Sequence, residues 1–564
     1  MKINQLARNF ILGLIFLLAV LLRLPFLDQV PPALYSDEVS QGYNAYSLIT
    51  TGKDEYGAAR PVSFRSFGDW KPPLATYLMI PTIKLFGLNA WGVRFPSALL
   101  GSMSVLIIYG LVIEIMGRYQ KTYALKQSSL SDVIALVTAF LLAISPWHIL
   151  QSRSAMLVGV TSFFYFLGLW SFFRGFKNSL YWLVGGISFV MAIYGYYGMR
   201  LMVPLTVMVL CFFFHKELKK NRKTILISAV IAIFLLFPLG FAYIKNSEVI
   251  FGRAKTVSIF FDKGIELTQT QLLKEDINRI PDKLAKKFHT LTFSYGVDIM
   301  RRFFEHLSSY FLFLVGDTSP PFQIPNMGIL YFVDGIFIVI GFVYIVKTNV
   351  HLFILISTFI AISIIPAALT FVTPAANRTF TLVFPLLFLA AIGICSTVIS
   401  IKHAFYKKTF ILFLGVTYGI SMLFFVRNYF FVLPKDNAQW WHFGYQELFS
   451  YLKNQEKQYD TITISSKTSV PYIFLLFYNQ VDTFLVKKQI RRNYKDDQFG
   501  FEHVDRFGIY EFPRYFEGDM PVENLPHNSL IVLTSDEKIE QESREIQKIY
   551  YPNQTVAFRI YEVL

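Results

Sequence analysis

The chain has 564 residues, a net charge of +15 and a mean hydropathy of +0.44; 54% of its residues are hydrophobic and only 16% are charged. Soluble domains carry about a quarter charged residues, so this composition excludes an ordinary soluble enzyme, a disordered chain and a collagen-like chain. Its two cysteines exclude a disulfide framework. The composition is typical of a chain that lies mostly in a lipid bilayer.

Apolar runs long enough to span a bilayer recur from the N-terminus to about residue 433, and they predict about 11 transmembrane helices. The runs lie near residues 9–27, 92–117, 131–150, 155–173, 179–198, 199–214, 224–244, 327–346, 351–372, 379–400 and 409–431. The apolar segment 72–88 is shorter and contains Pro81 and Lys84. We expect this segment to lie on the outer membrane surface, because only then do the basic loops face the cytoplasm, as the positive-inside rule requires.

This topology predicts a cytoplasmic N-terminus in the cell membrane and three regions outside, namely loops near 28–91 and 245–326 and a tail at 434–564. The tail has 15 basic and 19 acidic residues, whereas the rest of the chain has 38 basic and 19 acidic residues. The positive charge therefore belongs to the apolar part, where it indicates the orientation of membrane helices and does not indicate nucleic-acid binding.

The fold class predicted is a polytopic α-helical membrane protein over residues 1–433, followed by a small extracytoplasmic α/β domain over residues 434–564. The tail contains short strand-like runs and two helical ones. The strands are predicted at Thr461–Ser465, Ser529–Thr534 and Val556–Tyr561, and the helices at Tyr445–Lys453 and Asp536–Lys548.

The first outer loop contains adjacent carboxylates, Asp37 and Glu38, just after the first span. Carboxylates near a membrane are costly to desolvate and usually have a function, and a close like charge can leave one of them as a usable base. The alternative is that Ser36 or Asp37 caps a helix over residues 38–50. Farther along, Lys71 precedes two prolines that fix an extended backbone. Lys71 can meet a lipid-linked phosphate there, or it can simply reach the membrane interface.

These motifs occur in a fixed order: Asp37-Glu38, then Lys71-Pro-Pro-Leu, then Trp91-Gly-Val-Arg94. The ordered set resembles the GT-C membrane glycosyltransferases, and most closely their protein O-mannosyltransferase and aminoarabinose-transferase branch. A further run, Ser145-Pro-Trp-His followed by Ser152-Arg153, resembles the end of the third span of that family. The resemblance covers roughly residues 1–200. It implies a GT-C fold and transfer of a sugar from a polyprenyl-phosphate donor on the non-cytoplasmic face.

The resemblance also implies roles for individual residues. Asp37 is the expected base, Glu38 the adjacent acid, and Lys71 the contact to donor phosphate. Three arginines at outer helix ends are expected to assist at the phosphate, with anchoring to lipid headgroups as the alternative: Arg153, Arg200 and Arg378. Family members often carry another acid after the Ser-Arg pair, and residues 154–158 contain none. Either Glu38 substitutes for this acid, or the enzyme is metal-independent, or it is degenerate. A divalent metal is therefore possible but not supported, and no cofactor is expected to be required.

The tail begins with Trp440-Trp441-His442. This run is similar to the Trp-Trp-Asp-Tyr-Gly motif with which oligosaccharyltransferase catalytic subunits hold the acceptor hydroxyl, although His replaces Asp. It gives a weak prediction of acceptor binding, and the alternative is an aromatic anchor at the membrane interface.

The function predicted is an inverting membrane glycosyltransferase. Its partners are a polyprenyl-phosphate sugar, the lipid bilayer and a polysaccharide, lipid or protein acceptor, without nucleic acid. One alternative is a transporter or flippase for a lipid-linked substrate, which would contain inverted repeats. Another is a non-catalytic envelope receptor, in which Asp37 and Lys71 would lie far apart.

Overall fold

A computed structural model of the chain describes residues 4–119, 128–261, 264–277, 279–494, 502–513, 526–539 and 541–564. The helices up to residue 245 are α1 Gln5–Arg23, α2 Ser36–Thr51, α3 Leu74–Phe86, α4 Ala90–Tyr119, α5 Ser128–Ile144, α6 Pro146–Arg153, α7 Val158–Arg174, α8 Tyr181–Gly195, α9 Met199–Phe213, α10 His215–Lys220 and α11 Arg222–Lys245. The later helices are α12 Glu248–Val257, α13 Gly264–Ile277, α14 Asp282–Phe288, α15 Leu291–Glu305, α16 Phe332–Thr348, α17 Val350–Ala368, α18 Val383–Ser400, α19 Ala404–Val426, α20 Leu433–Asp436, α21 Tyr445–Gln455, α22 Pro471–Tyr478 and α23 Thr483–Gln489. The strands are β1 Phe64–Ser66, β2 Asp69–Lys71, β3 Thr461–Ile464, β4 Ile490–Asn493, β5 His503–Phe507, β6 Tyr510–Glu511, β7 Ser529–Thr534, β8 Ser543–Tyr550 and β9 Val556–Val563.

Several of these helices are membrane spans by length and composition. Among the described residues, six are long and apolar enough to cross a bilayer: Gln5–Arg23, Ala90–Tyr119, Arg222–Lys245, Val350–Ala368, Phe380–Ser400 and Ala404–Asp436. The pair Leu130–Ile144 and Pro146–Arg153 would make a seventh span, bent by 55°. The bend falls where Pro146 begins a new helix, as proline favours the first helical position. The prediction of a multi-pass membrane protein is confirmed, and the number of about 11 spans stays a prediction.

The packing of the chain divides it into two units. The membrane unit comprises Met1–Leu22, Leu100–Ser152 and Val158–Phe425, and the loop–tail unit comprises Arg23–Leu99, Arg153–Leu157 and Val426–Leu564. The first outer loop thus packs with the tail, although the sequence analysis placed it in the membrane part.

Small residues bring the helices of the membrane unit close together. A Cβ atom on Gly341 of α16 would lie 2.0 Å from the carbonyl oxygen of Leu389, and one on Gly393 of α18 would lie 2.1 Å from that of Phe337. Side chains would therefore push α16 and α18 apart, and glycine permits the close backbone approach that is common between membrane helices.

The tail forms a sheet in the loop–tail unit. Its seven strands among the described residues have the order β4-β5-β6-β3-β7-β9-β8, in which β3 pairs parallel with β6 and β7 and all other pairs are antiparallel. All six residues of the central strand β7 are buried. Helix α22 lies against α2, where a Cβ on Gly42 would lie 2.9 Å from the ring of Phe477. The sheet and the first outer loop therefore share one apolar core.

The tail has the predicted α/β character, with one correction. Strands β3, β7 and β9 and helix α21 occupy the predicted segments. The helix predicted over Asp536–Lys548 is wrong, because Ser543–Tyr550 forms strand β8, which pairs with β9. Pairing with a neighbouring strand outweighs the local helix propensity of this Glu- and Lys-rich segment, and charged residues are typical of an edge strand. The segment predicted to lie on the membrane surface is helical as α3, and its position relative to the bilayer stays a prediction.

Candidate active site

The first turn of α2 presents its two carboxylates in different directions. The helix begins at Ser36, and the backbone N–H of Tyr35 donates to Glu38 Oε2 at 2.9 Å. Glu38, rather than Ser36 or Asp37, therefore accepts the hydrogen bond that caps the N-terminus of α2. Successive helical residues are rotated by about 100°, so Asp37 and Glu38 meet different surroundings.

Glu38 forms a fully buried ion pair with Arg94 of α4. Both side chains are 0% exposed, and Arg94 Nε and Nη2 each lie 2.9 Å from a carboxylate oxygen of Glu38. The backbone N–H groups of Tyr35 and Ala155 also donate to this carboxylate, at 2.9 Å each. A bidentate pair with these additional donors compensates the cost of burying both charges.

Arg94 also orders the turn that leads from α1 into α2. Its Nη1 donates to the carbonyls of Leu27 and Pro31 at 2.9 and 2.8 Å, and its Nη2 donates to the carbonyl of Ala33. The guanidinium also lies 5.6 Å from the ring centre of Trp441, at cation–π distance. All five donors of Arg94 are used, so its function in the loop–tail unit is to hold Glu38 and this turn in place.

Asp37 pairs with Lys71 across the loop. Lys71 Nζ donates to Asp37 Oδ1, and the Asp37 side chain is 41% exposed while that of Lys71 is 7% exposed. Lys71 ends strand β2 of a small ribbon, where it lies opposite Phe64, and its ammonium lies 5.4 Å from the ring centre of Phe67. The ribbon and the two prolines after it fix the lysine beside the carboxylate. Asp37 is consequently the accessible acid of the pair with Glu38, which is enclosed.

His442 and Trp441 lie beside the start of α2. The His442 ring stacks on the Tyr35 ring with centres 4.8 Å apart, and the Trp441 ring meets Tyr35 edge-on at 6.3 Å. Burial lowers the pKa of His442 to about 4, against the opposing effect of the Asp37 charge, so its imidazole is neutral at pH 7. Within the described residues, His442 Nδ1 and Trp441 Nε1 have no hydrogen-bond partner. Trp440, in contrast, is 48% exposed.

Arg153 is enclosed among backbone carbonyls of the loop–tail unit. Its side chain is buried, and it donates to the carbonyls of Arg23, Phe26 and Val30 at 2.8–3.0 Å. The guanidinium also lies 4.9 Å from the ring centre of Phe430. These contacts hold the backbone after α1, and the contact with donor phosphate stays a prediction for Arg153.

The other two predicted arginines, Arg200 and Arg378, belong to the membrane unit. Arg200 Nη1 donates to the carbonyl of Val249 at 2.9 Å and to that of Ile250 at 3.2 Å. Arg378 Nη1 donates to Thr370, and burial lowers the pKa of this arginine. The roles predicted for both residues stay predictions. Across the described ranges, no three His, Cys, Asp or Glu side chains come together in a group that could hold a metal ion.

The loop–tail unit thus brings together most of the predicted site: Asp37, Glu38, Lys71, Trp441 and His442. Sequence reasoning missed Arg94 as the partner of Glu38. A signal was present, since an arginine at the start of an apolar span requires a buried partner. The envelope-receptor alternative requires Asp37 and Lys71 to lie far apart, whereas the structure pairs them.

The fold defines a class of protein. Over 98% of this chain and 97% of the other, the structure is similar to that of ArnT from Cupriavidus metallidurans bound to undecaprenyl phosphate, with a TM-score of 0.51 and 9% identity. It is also similar to the oligosaccharyltransferase of Archaeoglobus fulgidus tethered to an acceptor peptide, with a TM-score of 0.50 and 12% identity over 85% of this chain and 63% of that one. The fold is that of the GT-C membrane glycosyltransferases, and the predicted resemblance is confirmed.

Sequence comparisons indicate one branch of this class. Residues 70–241 match the model of the dolichyl-phosphate-mannose-protein mannosyltransferase family. The candidate mannosyltransferase YkcB of Bacillus subtilis is 26% identical over 121 residues, which are 21% of this chain and 15% of that protein. The chain therefore matches only a small part of this curated relative.

Proposed function

We propose that the protein is a membrane glycosyltransferase that moves a sugar from a polyprenyl-phosphate donor to an extracytoplasmic acceptor, with inversion at the anomeric carbon. This proposal rests on the different accessibility and partners of two adjacent acids, Asp37 and Glu38. Glu38 is enclosed and bound by Arg94, whereas Asp37 is accessible and lies beside the ammonium of Lys71. A carboxylate and a cation at one accessible place are what displacement at a phosphate-activated sugar requires.

Asp37 is the general base in this proposal. The acceptor hydroxyl gives its proton to the Asp37 carboxylate while its oxygen bonds to the anomeric carbon of the sugar. The bond from that carbon to the phosphate oxygen breaks at the same time, and the electron pair leaves with the phosphate. One displacement of this kind inverts the configuration. A positioned base typically contributes about 10²–10⁴-fold to the rate.

Lys71 is the cation that stabilises the departing phosphate. The donor is a phosphodiester with one negative charge, and the leaving group becomes a monoester that gains charge as the bond breaks. A cation at that position therefore binds the transition state more strongly than the donor, which is the condition for catalysis. The undecaprenyl phosphate bound to ArnT supports a lipid phosphate as the ligand.

Glu38 and Arg94 act by positioning Asp37, whereas His442 and its neighbour Trp441 lie beside Asp37 and can meet the acceptor. The pair of Glu38 with Arg94 positions the first turn of α2, and with it Asp37. The neutral imidazole of His442 beside Asp37 has an unused ring nitrogen, which supports a contact to the acceptor hydroxyl. Trp440, which is exposed, fits a membrane or acceptor contact.

The test uses the full chain in lipid nanodiscs with radiolabelled polyprenyl-phosphate mannose and, in parallel, other polyprenyl-phosphate sugars. We expect the wild type to release polyprenyl phosphate from one of them and the Asp37→Asn variant to do so at least 100-fold more slowly. Asp436→Asn, which changes an exposed acid of the same unit, is the control and is expected to match the wild type. Wild-type activity retained by a correctly inserted Asp37→Asn protein would refute Asp37 as the base.

Inversion is tested separately on the product. NMR of the transferred sugar is expected to show the anomeric configuration opposite to that of the donor. Retention of configuration would require a second nucleophile and would contradict a single displacement assisted by Asp37.

A further inference from the structure

A second polar cluster of the loop–tail unit lies beside the small ribbon that carries Lys71. Its central residue is Arg65 of β1, which lies opposite Trp70 of β2 in the ribbon. The Arg65 guanidinium lies 5.0 Å from the ring centre of Tyr494, 5.4 Å from that of Tyr56 and 6.0 Å from that of Trp70. We call the three rings with Arg65 and Arg492 the aromatic platform.

The platform is built from the first outer loop and the tail together. Arg65 forms an ion pair with Glu502, whose backbone N–H donates to the carbonyl of Phe67 at 3.1 Å. Arg492 of β4 lies 3.9 Å from the ring centre of Tyr56. Both guanidinium groups therefore lie on aromatic faces, and in these positions they are held in fixed orientations.

Part of the platform is accessible from solvent. Tyr494 is 59% exposed and the Arg65 side chain is 31% exposed, while Trp70 and Tyr56 are half-buried. The carboxylate of Glu55, which interacts with Arg492, is only 2% exposed. The platform thus combines exposed aromatic groups with an enclosed charged neighbour.

Two buried polar atoms of this cluster lack partners. Tyr472 forms hydrogen bonds with Glu55 and with Arg492, whereas no described residue forms one with Arg65 Nε or with Glu502 Oε2. Buried polar atoms are nearly always paired with protein, water or ligand, so unpaired atoms gathered at one place indicate a missing hydrogen-bonding partner. One donor and one carboxylate oxygen are left, so a partner at this place must both donate and accept.

We propose that the aromatic platform is a carbohydrate subsite that binds the acceptor, and that the acceptor is therefore a polysaccharide chain. A sugar ring has an apolar C–H face, which packs on Trp and Tyr rings, and a rim of hydroxyl groups, each of which donates and accepts. A free phosphate fits less well, because Glu55 and Glu502 would repel it. This inference rests on the proposed function and names the substrate class of the same enzyme.

The position of the subsite relative to Asp37 supports an acceptor and not a distant binding site. Trp70 and Lys71 are neighbours on β2, and side chains of adjacent strand residues point to opposite faces. Trp70 consequently faces the platform while Lys71 faces Asp37. A bound chain of two or three sugar units therefore passes the edge of the ribbon between the platform and Asp37, and presents one hydroxyl to Asp37 there.

The test separates acceptor binding from donor chemistry. Full-length wild type, Tyr494→Ala and Trp70→Ala are compared in nanodiscs with the labelled donor and three acceptors: purified envelope polysaccharide of the host cell, a Ser/Thr-rich peptide, and phospholipid vesicles. We expect transfer to the polysaccharide, with KM raised about tenfold by each variant and kcat nearly unchanged. Trp70→Phe is expected to restore most of the affinity. Tyr550→Ala, which removes a tyrosine of β8 that is 45% exposed, should leave KM unchanged.

A second measurement does not depend on turnover. Saturation-transfer NMR of fragments of the same polysaccharide with the Asp37→Asn protein is expected to give signals that Tyr494→Ala removes. Transfer to peptide or vesicles that Tyr494→Ala does not affect would overturn the subsite while leaving the proposed function intact. Loss of donor consumption in the wild type would instead contradict the proposed function itself.

Discussion

Removal of Arg94 is expected to destabilise the loop–tail unit strongly. Arg94→Met leaves the Glu38 carboxylate buried with only the N–H groups of Tyr35 and Ala155, and it leaves three carbonyls without their donor. Removing one partner of a buried ion pair lowers the free energy of unfolding by about 3–5 kcal/mol. A loss of about 4 kcal/mol raises the population of the opened unit about 10³-fold, since 1.4 kcal/mol corresponds to a factor of ten.

The double variant Glu38→Gln/Arg94→Met tests the origin of this loss. Gln at position 38 removes the unpaired charge and leaves the carbonyls unsatisfied, so we expect it to recover about half of the lost free energy. A coupling of this size between two residues in contact is what a double-mutant cycle measures.

Proteolysis of the detergent-solubilised protein at low protease concentration measures this opening, because slow cleavage of a transiently opened unit follows its equilibrium population. The matched control is Arg544→Met, which breaks the exposed pair of Arg544 with Glu562 at 2.6 Å. An exposed pair contributes little, so we expect no measurable change. Equal cleavage of Arg94→Met and Arg544→Met would refute the structural role of the buried pair.

Three further outcomes are expected in the same proteolysis assay. Burial raises the pKa of Glu55 from 4.5 to about 7, so the folded unit binds this proton more tightly than the unfolded chain does. The free energy of unfolding therefore falls as pH rises from about 4.5 to 7, by at most about 1.4 kcal/mol per pH unit. Glu55→Gln should remove this pH dependence. Burial lowers the pKa of His442 from 6.5 to about 4, so stability falls as pH drops through that range, and His442→Gln should remove this loss; an unchanged acid profile would contradict the burial of the imidazole. Gly42→Ala places a Cβ 2.7 Å from Val93 and 2.9 Å from Phe477, which should cost about 1–3 kcal/mol, whereas Gly419→Ala, with no atom within 4 Å, should be tolerated.

The sequence correctly predicted a multi-pass membrane protein, because a span is recognised from length and apolarity within one continuous segment. It also singled out Asp37 and Lys71, although they are separated by 33 residues, because the ordered motifs resemble a known family. Their contact depends on the β1–β2 ribbon, which consists of two three-residue strands and has little signal of its own.

Partners of buried charges could not be predicted in the same way. Arg94 and Arg153 both donate hydrogen bonds to carbonyls of the segment between α1 and α2. Every residue has a backbone carbonyl, so the sequence does not show which of them an arginine binds. The sequence therefore predicted neither the contacts of Arg94 nor those of Arg153. Strand β8 was missed for a related reason, since an exposed edge strand depends on its pairing with β9 and not on an apolar pattern.

The central claim is that Asp37 acts in the chemical step while Lys71 binds donor phosphate. Equilibrium binding and single-turnover transfer of one labelled polyprenyl-phosphate sugar, measured on the same nanodisc preparations, test this claim most directly. We predict that Asp37→Asn binds the donor within about twofold of the wild type and transfers at least about 10²-fold more slowly, whereas Lys71→Gln loses both binding and rate. Lys435→Gln, which changes an exposed lysine, should alter neither. Wild-type single-turnover rates for Asp37→Asn, or unchanged donor binding and transfer by Lys71→Gln, would contradict the account.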